Sequence, residues 1–464
     1  MLLKYFYDDA LSQASYLIGC PASGEALVID PARDITPYLQ FAHERNLRII
    51  GAAETHIHAD FASGGRELAS EVRGTLFISA YGGEHGYKLQ GDDSMTVIGL
   101  YDGSQISVGS VQLEAWHTPG HTPEHLCYLI TAGGAAGPFA LLSGDCVFAG
   151  DVGRPDLLQT AVGIAGAAAD GARAQFASVQ RIKTLPDYLQ VLPGHGAGSA
   201  CGKALGDVPT TSIGYEKLAN PAFQFEDETA FSAWLLEGQP PAPRYFAQMK
   251  HINQHGAALL NSLPYPRPIV YDSEVMHAAR ALLIDTRSAE AFAAAHIPGA
   301  VNIPVSERKF STWAGQLVHY DQPTYIVVDD TQVREVVNKL YAVGIDQLGG
   351  YVRPQTATRY RAITRSIAPQ AADAQLGAGA LILDVRDQSE YNEVHIPGAL
   401  WIPLGEIEQR LAEIPREREV IVQCASGRRS NIATSLLQKH GYLHVMNLAG
   451  GIDAWRAADL PVEG

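Results

Sequence analysis

LRIIGAAETHIHADF, residues 47–61, is the stretch that decides the fold of the first half of the chain. An apolar run leads into a polar cluster in which His56, His58 and Asp60 occupy alternate positions. Such a run is typical of a buried strand, and the loop after a strand is where functional side chains collect on a rigid scaffold. We therefore predict a strand that ends in a site-bearing loop.

Three further segments place histidine or aspartate directly after an apolar run. They are HTPGHTPEH (117–125), SGDCVFAGDVGRPD (143–156) and PGHGAGSACGK (193–203). A single histidine in such a place is usually a structural hydrogen bonder, but four clusters close together favour a metal site. Strand-like runs with a few helices between them surround the clusters, which predicts a two-sheet sandwich flanked by helices.

The second half contains an internal repeat. LLIDTRSAEAFAAAHIPGAVNIP (282–304) matches LILDVRDQSEYNEVHIPGALWIP (381–403). Each copy continues into a β-rich run and then a helix, and a repeated strand–helix alternation of this size predicts two small α/β domains. Three domains follow, which we place at residues 1–250, 268–365 and 370–464.

The composition excludes several classes of protein. The 464 residues carry 34 Lys and Arg against 50 Asp and Glu, and the net charge of −16 disfavours nucleic acid and a polybasic membrane tether. No apolar run approaches the ~18 residues of a membrane helix, and the N-terminal MLLKYFYDDALSQ lacks the pattern of a secretory signal. The five scattered cysteines are typical of reduced thiols. We expect a cytoplasmic, soluble, multidomain protein.

The motifs of the first half resemble those of the metallo-β-lactamase superfamily. The H-x-H-x-D motif, a GHT turn, a strand-end GD and a late PGH occur in the order of that superfamily over residues 1–250. The resemblance implies an αββα sandwich with metal at one edge. By position, it assigns the metal shell to His56, His58, Asp60, His121, Asp145 and His195.

The residue after the H-x-H-x-D motif separates two branches of that superfamily. A dinuclear zinc hydrolase, such as a glyoxalase II-like thioesterase, usually carries a histidine where this chain has Phe61. Phenylalanine has no lone pair for a metal, so a second zinc ion would lack one protein ligand. A zinc-dependent thioester hydrolase fused to a sulfurtransferase remains the alternative interpretation.

The first half is most similar to the persulfide dioxygenase branch, whose pattern after the metal aspartate is close to GDVGRPD (150–156). In that branch two histidines and one aspartate bind a single Fe(II), by position His56, His121 and Asp145, and leave three positions open. The residues that remain, His58, Asp60 and His195, would then orient ligands or hold water. For Cys201, a thiol on the substrate side of the metal and a structural residue are equally open interpretations.

VIVQCASGRRS, residues 420–430, carries a second kind of chemistry. A strand delivers Cys424 to a short loop, and a helix is predicted to start near Ser430. The loop amides, the helix N-terminus and the charges of Arg428 and Arg429 all favour a thiolate. Cysteine-dependent phosphatases place five residues between cysteine and arginine, whereas here four precede Arg429. With DVR, HIPGA and LAGGIDAW around it, this loop resembles that of a rhodanese domain, which implies a sulfane sulfur carried on Cys424.

The middle copy departs from the rhodanese pattern at the nucleophile. Aligning YIVVDD with VIVQCA places Asp329 at the position of Cys424 and Arg334 at that of Arg429. An aspartate cannot carry a persulfide, so residues 268–365 are predicted to be a scaffold that docks the other domains or builds a homo-oligomer. We also expect the loop amides and Arg334 to hold the Asp329 carboxylate as a fixed negative group.

Together, the two resemblances imply one pathway of sulfur chemistry. The first domain would take a small-molecule thiol persulfide and O2 to the thiol and sulfite, and the last would interconvert sulfite and thiosulfate through a Cys424 persulfide, in sulfide detoxification. A sulfur carrier or sensor without enzymatic activity is disfavoured because the metal set and the Cys424 loop are both intact.

Overall fold

The structure is a computed structural model that describes residues 1–464. The chain divides into two compact units, Met1–Leu263 with Leu340–Gly344 and Pro264–Lys339 with Ile345–Gly464. None of the helices combines the length and the apolar composition that a bilayer crossing requires.

The first unit is built on twelve strands. Their bounds are β1 (Leu2–Asp8), β2 (Gln13–Cys20), β3 (Glu25–Ile29), β4 (Arg48–Ala53), β5 (Thr75–Ser79), β6 (Thr96–Leu100), β7 (Gln105–Val108), β8 (Val111–His117), β9 (Leu126–Thr131), β10 (Ala140–Gly144), β11 (Gln190–Pro193) and β12 (Thr211–Ser212). They form two six-stranded sheets, with the orders β1-β2-β3-β4-β5-β6 and β12-β11-β10-β9-β8-β7. The predicted strand that begins the H-x-H-x-D segment is β4.

Helices cover the outer faces of both sheets. Their bounds are α1 (Thr36–Glu44), α2 (Gly65–Glu71), α3 (Leu157–Thr160), α4 (Ala167–Lys183), α5 (Ile213–Ala219), α6 (Glu228–Leu236) and α7 (Phe246–His255). Between the sheets, Ile18 and Leu27 of the first sheet share a buried core with Leu113, Tyr128 and Leu142 of the second. Residues of α1 and α2 pack on the other side of the first sheet, and residues of α4 and α6 on that of the second. The predicted αββα sandwich is confirmed.

The second unit contains two parallel sheets, one for each copy of the repeat. The strands of the first copy are β13 (Leu282–Asp285), β14 (Val301–Asn302), β15 (Thr324–Val327) and β16 (Leu348–Val352), in the order β14-β13-β15-β16. Those of the second are β17 (Arg365–Ile367), β18 (Leu381–Asp384), β19 (Leu400–Trp401), β20 (Val420–Gln423) and β21 (Val445–Leu448), in the order β17-β21-β20-β18-β19. Central strands such as β20 are buried throughout, because helices cover both faces of a parallel sheet.

Nine helices complete the second unit. They are α8 (Ser273–Ala278), α9 (Ala289–Ala294), α10 (Phe310–Leu317), α11 (Val333–Tyr341), α12 (Pro354–Ala357), α13 (Pro369–Gly377), α14 (Gln388–Glu393), α15 (Arg428–Lys439) and α16 (Gly451–Ala457). Helix α15 begins at Arg428, two residues before the predicted Ser430, because Gly427 takes the left-handed conformation (φ 90°) that ends the loop.

A buried polar contact joins the two copies within the second unit. Asn431 on α15 donates its side-chain amide to the side-chain oxygen of Asn302 over 2.7 Å. The backbone N–H of Asn302 in turn donates to the hydroxyl of Ser435 over 3.0 Å. The helix that follows the Cys424 loop therefore packs directly on the copy that lacks a cysteine.

Candidate functional site

The three side chains predicted to hold the metal lie together at one edge of the sandwich. His56 follows β4, His121 lies between β8 and β9, and Asp145 follows β10. Their ligand atoms lie within 4.8 Å of one another, and all three side chains are buried. Oδ2 of Asp145 is 3.5 Å from Nε2 of His121 and 3.8 Å from Nε2 of His56.

Hydrogen bonds orient both histidines with Nε2 toward Asp145. His121 donates from Nδ1 to the carbonyl of Arg154 over 2.8 Å. The Thr55 hydroxyl donates to Asp30 and therefore accepts from Nδ1 of His56, at 2.9 Å. Burial lowers the pKa of both imidazoles, that of His121 to about 3, so each presents an Nε2 lone pair.

The unsatisfied atoms of this group fit a metal ion. Nε2 of His56 and Oδ2 of Asp145 are buried and have no hydrogen-bond partner. Burial by itself would raise the pKa of Asp145, but the charge of His195 and its hydrogen bond outweigh that effect and lower it. Two neutral imidazoles and a carboxylate therefore converge on one point, as in a facial triad of non-haem iron proteins.

The GDVGRPD segment builds the frame of this group. A side chain at Gly153 would meet the carbonyl oxygen of Asp145 at 1.9 Å and Cβ of His121 at 2.9 Å, so only glycine fits there. The guanidinium of Arg154 forms two hydrogen bonds to the Asp156 carboxylate, of 2.8 and 2.7 Å. Because the carbonyl of Arg154 accepts from His121, this buried ion pair fixes the position of a candidate ligand.

His58, although it belongs to the same H-x-H-x-D motif, lies in a different buried group. Its Nε2 is 3.2 Å from Oδ1 of Asp30 and 3.5 Å from Oε2 of Glu54. Burial would lower the pKa of His58, but the two carboxylates outweigh it and raise the pKa to about 10. An imidazolium between two carboxylates has no lone pair for a metal.

Asp60, His195 and Cys201 form a third buried group, with ligand atoms within 4.8 Å of one another. His195 bridges two carboxylates, with Nδ1 2.7 Å from Oδ1 of Asp145 and Nε2 2.8 Å from Oδ2 of Asp60. Burial lowers its pKa and the carboxylates raise it, with a net increase. The structure thus places His195 in direct contact with Asp145, and Asp60 on the far side of His195.

Cys201 and Phe61 complete the surroundings of these groups. Burial raises the pKa of the Cys201 thiol well above its usual range, which favours the neutral form. Its role on the substrate side of the metal stays a prediction. Phe61 is buried and packs its ring against His58, with centroids 4.4 Å apart.

Helix α7 holds the H-x-H-x-D loop from outside the sandwich, and the sequence analysis missed it. The side-chain amide of Asn253 donates to the carbonyls of His58 and Phe61, at 2.8 and 2.7 Å. Nζ of Lys250 donates to the carbonyl of Ile57 over 3.4 Å. The available signal was a lysine and an asparagine on the buried face of a helix, at the spacing of Phe246, Met249, Lys250 and Asn253.

The Cys424 loop follows β20 and leads into α15. The N–H of Gly427 and the hydroxyl of Ser430 donate to Sγ at 3.2 and 3.4 Å, as a thiolate or persulfide requires. Both arginines, in contrast, are paired with carboxylates. Arg429 makes two hydrogen bonds to Glu390, of 2.6 and 2.7 Å, and Arg428 lies 3.4 Å from Glu307 of the middle copy. Arg429 lies between Glu390 and the sulfur: burial would lower the pKa of its guanidinium, but Glu390 and Cys424 raise it. The role of both arginines at the sulfur stays a prediction.

In the middle copy, the aspartate that replaces the cysteine is held by a local turn. Asp329 accepts from the backbone N–H of Thr331 over 3.0 Å and from its hydroxyl over 2.7 Å. These bonds lower the pKa of Asp329. Arg334 is exposed on α11 and forms no ion pair with this carboxylate, so the expected contact was wrong: both hydrogen bonds to Asp329 come from Thr331, to Oδ1.

Comparisons with known protein families agree with this architecture. Residues 8–195 match the metallo-beta-lactamase superfamily, and residues 273–351 and 368–458 match the rhodanese-like domain. A crystal structure of a metallo-beta-lactamase from Staphylococcus aureus is 42% identical, with a TM-score of 0.68, and covers 76% of this chain and 99% of its own.

Curated relatives match single parts of the chain. A sulfurtransferase of Allochromatium vinosum is 43% identical over 18% of this chain and 77% of its own length. The first unit is 31% identical to a hydroxyacylglutathione hydrolase of Nitrosococcus oceani and 28% identical to the human mitochondrial persulfide dioxygenase ETHE1. Each of these two matches covers 42% of this chain, with 66% and 68% of the relative's length.

A further relative, the sulfur carrier protein YrkF of Bacillus subtilis, is 45% identical over 16% of this chain, and the match covers only 40% of that protein's length. The shared segments thus identify individual domains, and these domains belong to enzyme families. On the match to the Staphylococcus aureus protein and to the sulfurtransferase, this chain belongs to the metallo-β-lactamase superfamily in its first part and carries two rhodanese-like domains in its second.

Proposed function

We propose that the first unit oxidises low-molecular-weight persulfides to sulfite with O2, at one iron(II) held by His56, His121 and Asp145. The observation that carries this proposal is the position of His58, whose Nε2 faces Asp30 and Glu54 and not the other two histidines. With Phe61 beside it, the motif supplies one ligand to this group where a zinc hydrolase needs more. Two histidines and one carboxylate leave positions for both a sulfur substrate and O2.

The overall reaction is R–S–SH + O2 + H2O → R–SH + HSO3⁻ + H⁺, in which the terminal sulfur is oxidised and O2 is reduced. Iron(II) bound at the site would supply the redox chemistry. The chain's own residues keep the two imidazoles neutral and the carboxylate ionised, and they orient all three ligands and shield them from water. Arg154 and Thr55 fix the two imidazoles, and His195 holds the carboxylate of Asp145 in its ionised form.

The last domain would transfer sulfane sulfur, Cys424–S–S⁻ + SO3²⁻ → Cys424–S⁻ + S2O3²⁻, in either direction. The N–H of Gly427 and the hydroxyl of Ser430 stabilise the negative charge on sulfur in both forms. Asp329 has no sulfur to offer, so the middle copy acts as a scaffold. The proposed partners are the persulfide, O2, sulfite and thiosulfate, and we propose a homo-oligomer in the cytoplasm that clears sulfide.

A second candidate is a zinc-dependent thioester hydrolase joined to a sulfurtransferase. The group of Asp60, His195 and Cys201 beside Asp145 favours it, because together they could complete a second metal site. The similarity to a hydroxyacylglutathione hydrolase points the same way. The two candidates differ in metal and in substrate, so one experiment separates them.

That experiment is metal analysis of the full chain purified without oxygen, combined with oxygen uptake on glutathione and coenzyme A persulfides. One iron per chain and sulfite formation are expected. His121→Ala should lose iron and oxygen uptake together, whereas His117→Gln should keep both. His117 is the matched control because it lies on the same hairpin but contacts Pro123 and Tyr81 instead of Asp145. Two zinc ions per chain with thioester hydrolysis would refute the proposal.

A further inference from the structure

Lys250 is a buried cation beside the candidate metal site. It lies on the inner face of α7, with 7% of its surface exposed. Its Nζ approaches the carbonyl of Ile57, the residue between His56 and His58. Asn253, one turn further along α7, anchors the same loop through two carbonyls, so the position of Lys250 is fixed by its helix.

Nζ of Lys250 is poorly satisfied for an ammonium. Its contact with Ile57 is long, at 3.4 Å, and two further N–H groups are available. No carboxylate forms an ion pair with it within 4.0 Å, whereas another buried cation near the site, Arg154, is paired with Asp156. A buried charge without a counter-ion destabilises a fold, so a residue of this kind is expected where a ligand supplies the opposite charge.

The electrostatics locate Lys250 among the groups of the metal site. Burial lowers its pKa, and the charges of Glu124, Cys201, Asp145 and Asp60 oppose that change. Because Ile57 stands between His56 and His58 in the chain, the contact with its carbonyl places the ammonium beside the loop that carries His56.

We propose that Lys250 binds a sulfur-centred anion at this site, either the terminal sulfur of the persulfide or the oxygens of sulfite. This inference rests on the function proposed above. Lysine suits such a ligand because its ammonium is a compact charge with several donors that can follow a substrate into a product. Lys250 is therefore a substrate-binding residue supplied by α7, outside the residues 8–195 that the superfamily shares.

The test compares Lys250→Met and Lys250→Arg with Lys88→Met in the full chain. Lys88 is the matched control, because its Nζ also donates to a backbone carbonyl, of Gly83 at 3.0 Å, but on the exposed surface. Two quantities are measured: sulfite affinity by calorimetry on the anaerobic metal-loaded protein, and KM for glutathione persulfide. Loss of a charged hydrogen-bond donor should weaken the ligand that uses it by about 10- to 100-fold.

In Lys250→Met, a weaker sulfite affinity assigns the site to the product, and a raised KM assigns it to the persulfide. Lys250→Arg should retain most of either interaction, which a merely structural role would not predict. Should Lys250→Met lose iron, Lys250→Gln removes the charge while keeping a polar N–H donor at the end of the side chain. Unchanged sulfite affinity and unchanged KM in a variant with full iron content would overturn the inference.

The failure of the proposed function has a different signature. In that case wild-type protein shows no oxygen uptake with any persulfide, whatever residue occupies position 250. The calorimetric arm still reports on anion binding, because it needs neither O2 nor turnover.

Discussion

Replacement of Asp156 by asparagine should destabilise the first unit far more than the loss of a single ion pair usually does. The Arg154 side chain is 1% exposed and the Asp156 side chain 9%, and their two hydrogen bonds measure 2.8 and 2.7 Å. Asp156→Asn leaves a buried guanidinium without its counter-charge. Breaking a buried pair in this way costs about 3–5 kcal/mol of unfolding free energy.

A pair in the same unit provides the matched control. Arg173 and Asp170 are also an arginine and an aspartate close in sequence, but their side chains are 54% and 75% exposed. Exposed pairs three or four residues apart on a helix contribute only ~0.3–0.5 kcal/mol. Asp170→Asn therefore makes nearly the same chemical change without the burial, and the difference between the two variants measures the effect of burial.

The loss of unfolding free energy is measured by hydrogen exchange and mass spectrometry on the metal-free full chain. Peptides within residues 111–131 report on the first unit alone. A loss of 3 kcal/mol or more accelerates the slowest amides by at least ~100-fold, since each 1.4 kcal/mol is tenfold. Asp170→Asn should leave them within about threefold. Equal exchange rates in the two variants would refute the argument that burial makes the Arg154–Asp156 pair important for the stability of the first unit.

Three further predictions concern the second unit. Cys424→Ser should abolish thiosulfate formation in a coupled assay while oxygen uptake on an added persulfide stays intact; a collapse of that uptake with iron retained would make Cys424 an obligatory relay. Asp329→Ala should leave both reactions unchanged. Peptide mass mapping after persulfide treatment should find added sulfur on the peptide that contains Cys424 and none on peptides from residues 268–365. Lost thiosulfate turnover in the folded variant would contradict the scaffold role. Burial would raise the pKa of Glu408, but His440 and Lys439 lower it from its ordinary 4.5 to about 2. The ionised Glu408 carboxylate therefore contributes its full stabilisation of the folded state above pH 4.5, and this contribution is lost as the pH falls toward 2. Glu408→Gln should thus lower the unfolding free energy by roughly 3 kcal/mol at pH 7 and by progressively less below pH 4.5. A constant deficit across a urea-unfolding series in that pH range would contradict this.

The sequence predicted the fold and the side chains of the metal site because both follow from short-range sequence patterns. Apolar runs that end in histidine or aspartate become strands that end at one edge of a sandwich, so His56 and Asp145 meet although they are far apart in the chain. Likewise, the strand–loop–helix pattern around Cys424 fixes which amide faces the sulfur.

What the sequence could not show is which partner each charged side chain selects. His58 was grouped with the metal shell, and only the fold reveals that Asp30, from the end of a neighbouring strand, reaches it. Arg429 is expected to act on the sulfur, and the fold adds a partner that the sequence did not indicate, Glu390 on α14. Lys250 belongs to a helix beyond every motif, and its burial depends on packing that no spacing encodes. Long-range pairing of charges is set by tertiary geometry.

Through the contact between Asn302 and Asn431, the middle copy supports the position of helix α15 in the last copy. The Asn302 side chain also donates to the carbonyls of Asp285 and Arg287, so its oxygen can accept from Asn431 only in one register. Separating the two side chains leaves Oδ1 of Asn302 and Nδ2 of Asn431 without that hydrogen bond, at a cost of about 1–3 kcal/mol for each buried group. Helix α15 is thereby held against the middle copy, and the start of this helix carries the two donors to Cys424, the N–H of Gly427 and the hydroxyl of Ser430. Heat or force that unfolds the middle copy would therefore loosen the Cys424 loop, even while the hydrogen bonds within that loop are still intact. A duplicated domain that lacks the nucleophilic cysteine can thus still determine how precisely the Cys424 loop of the other copy is positioned.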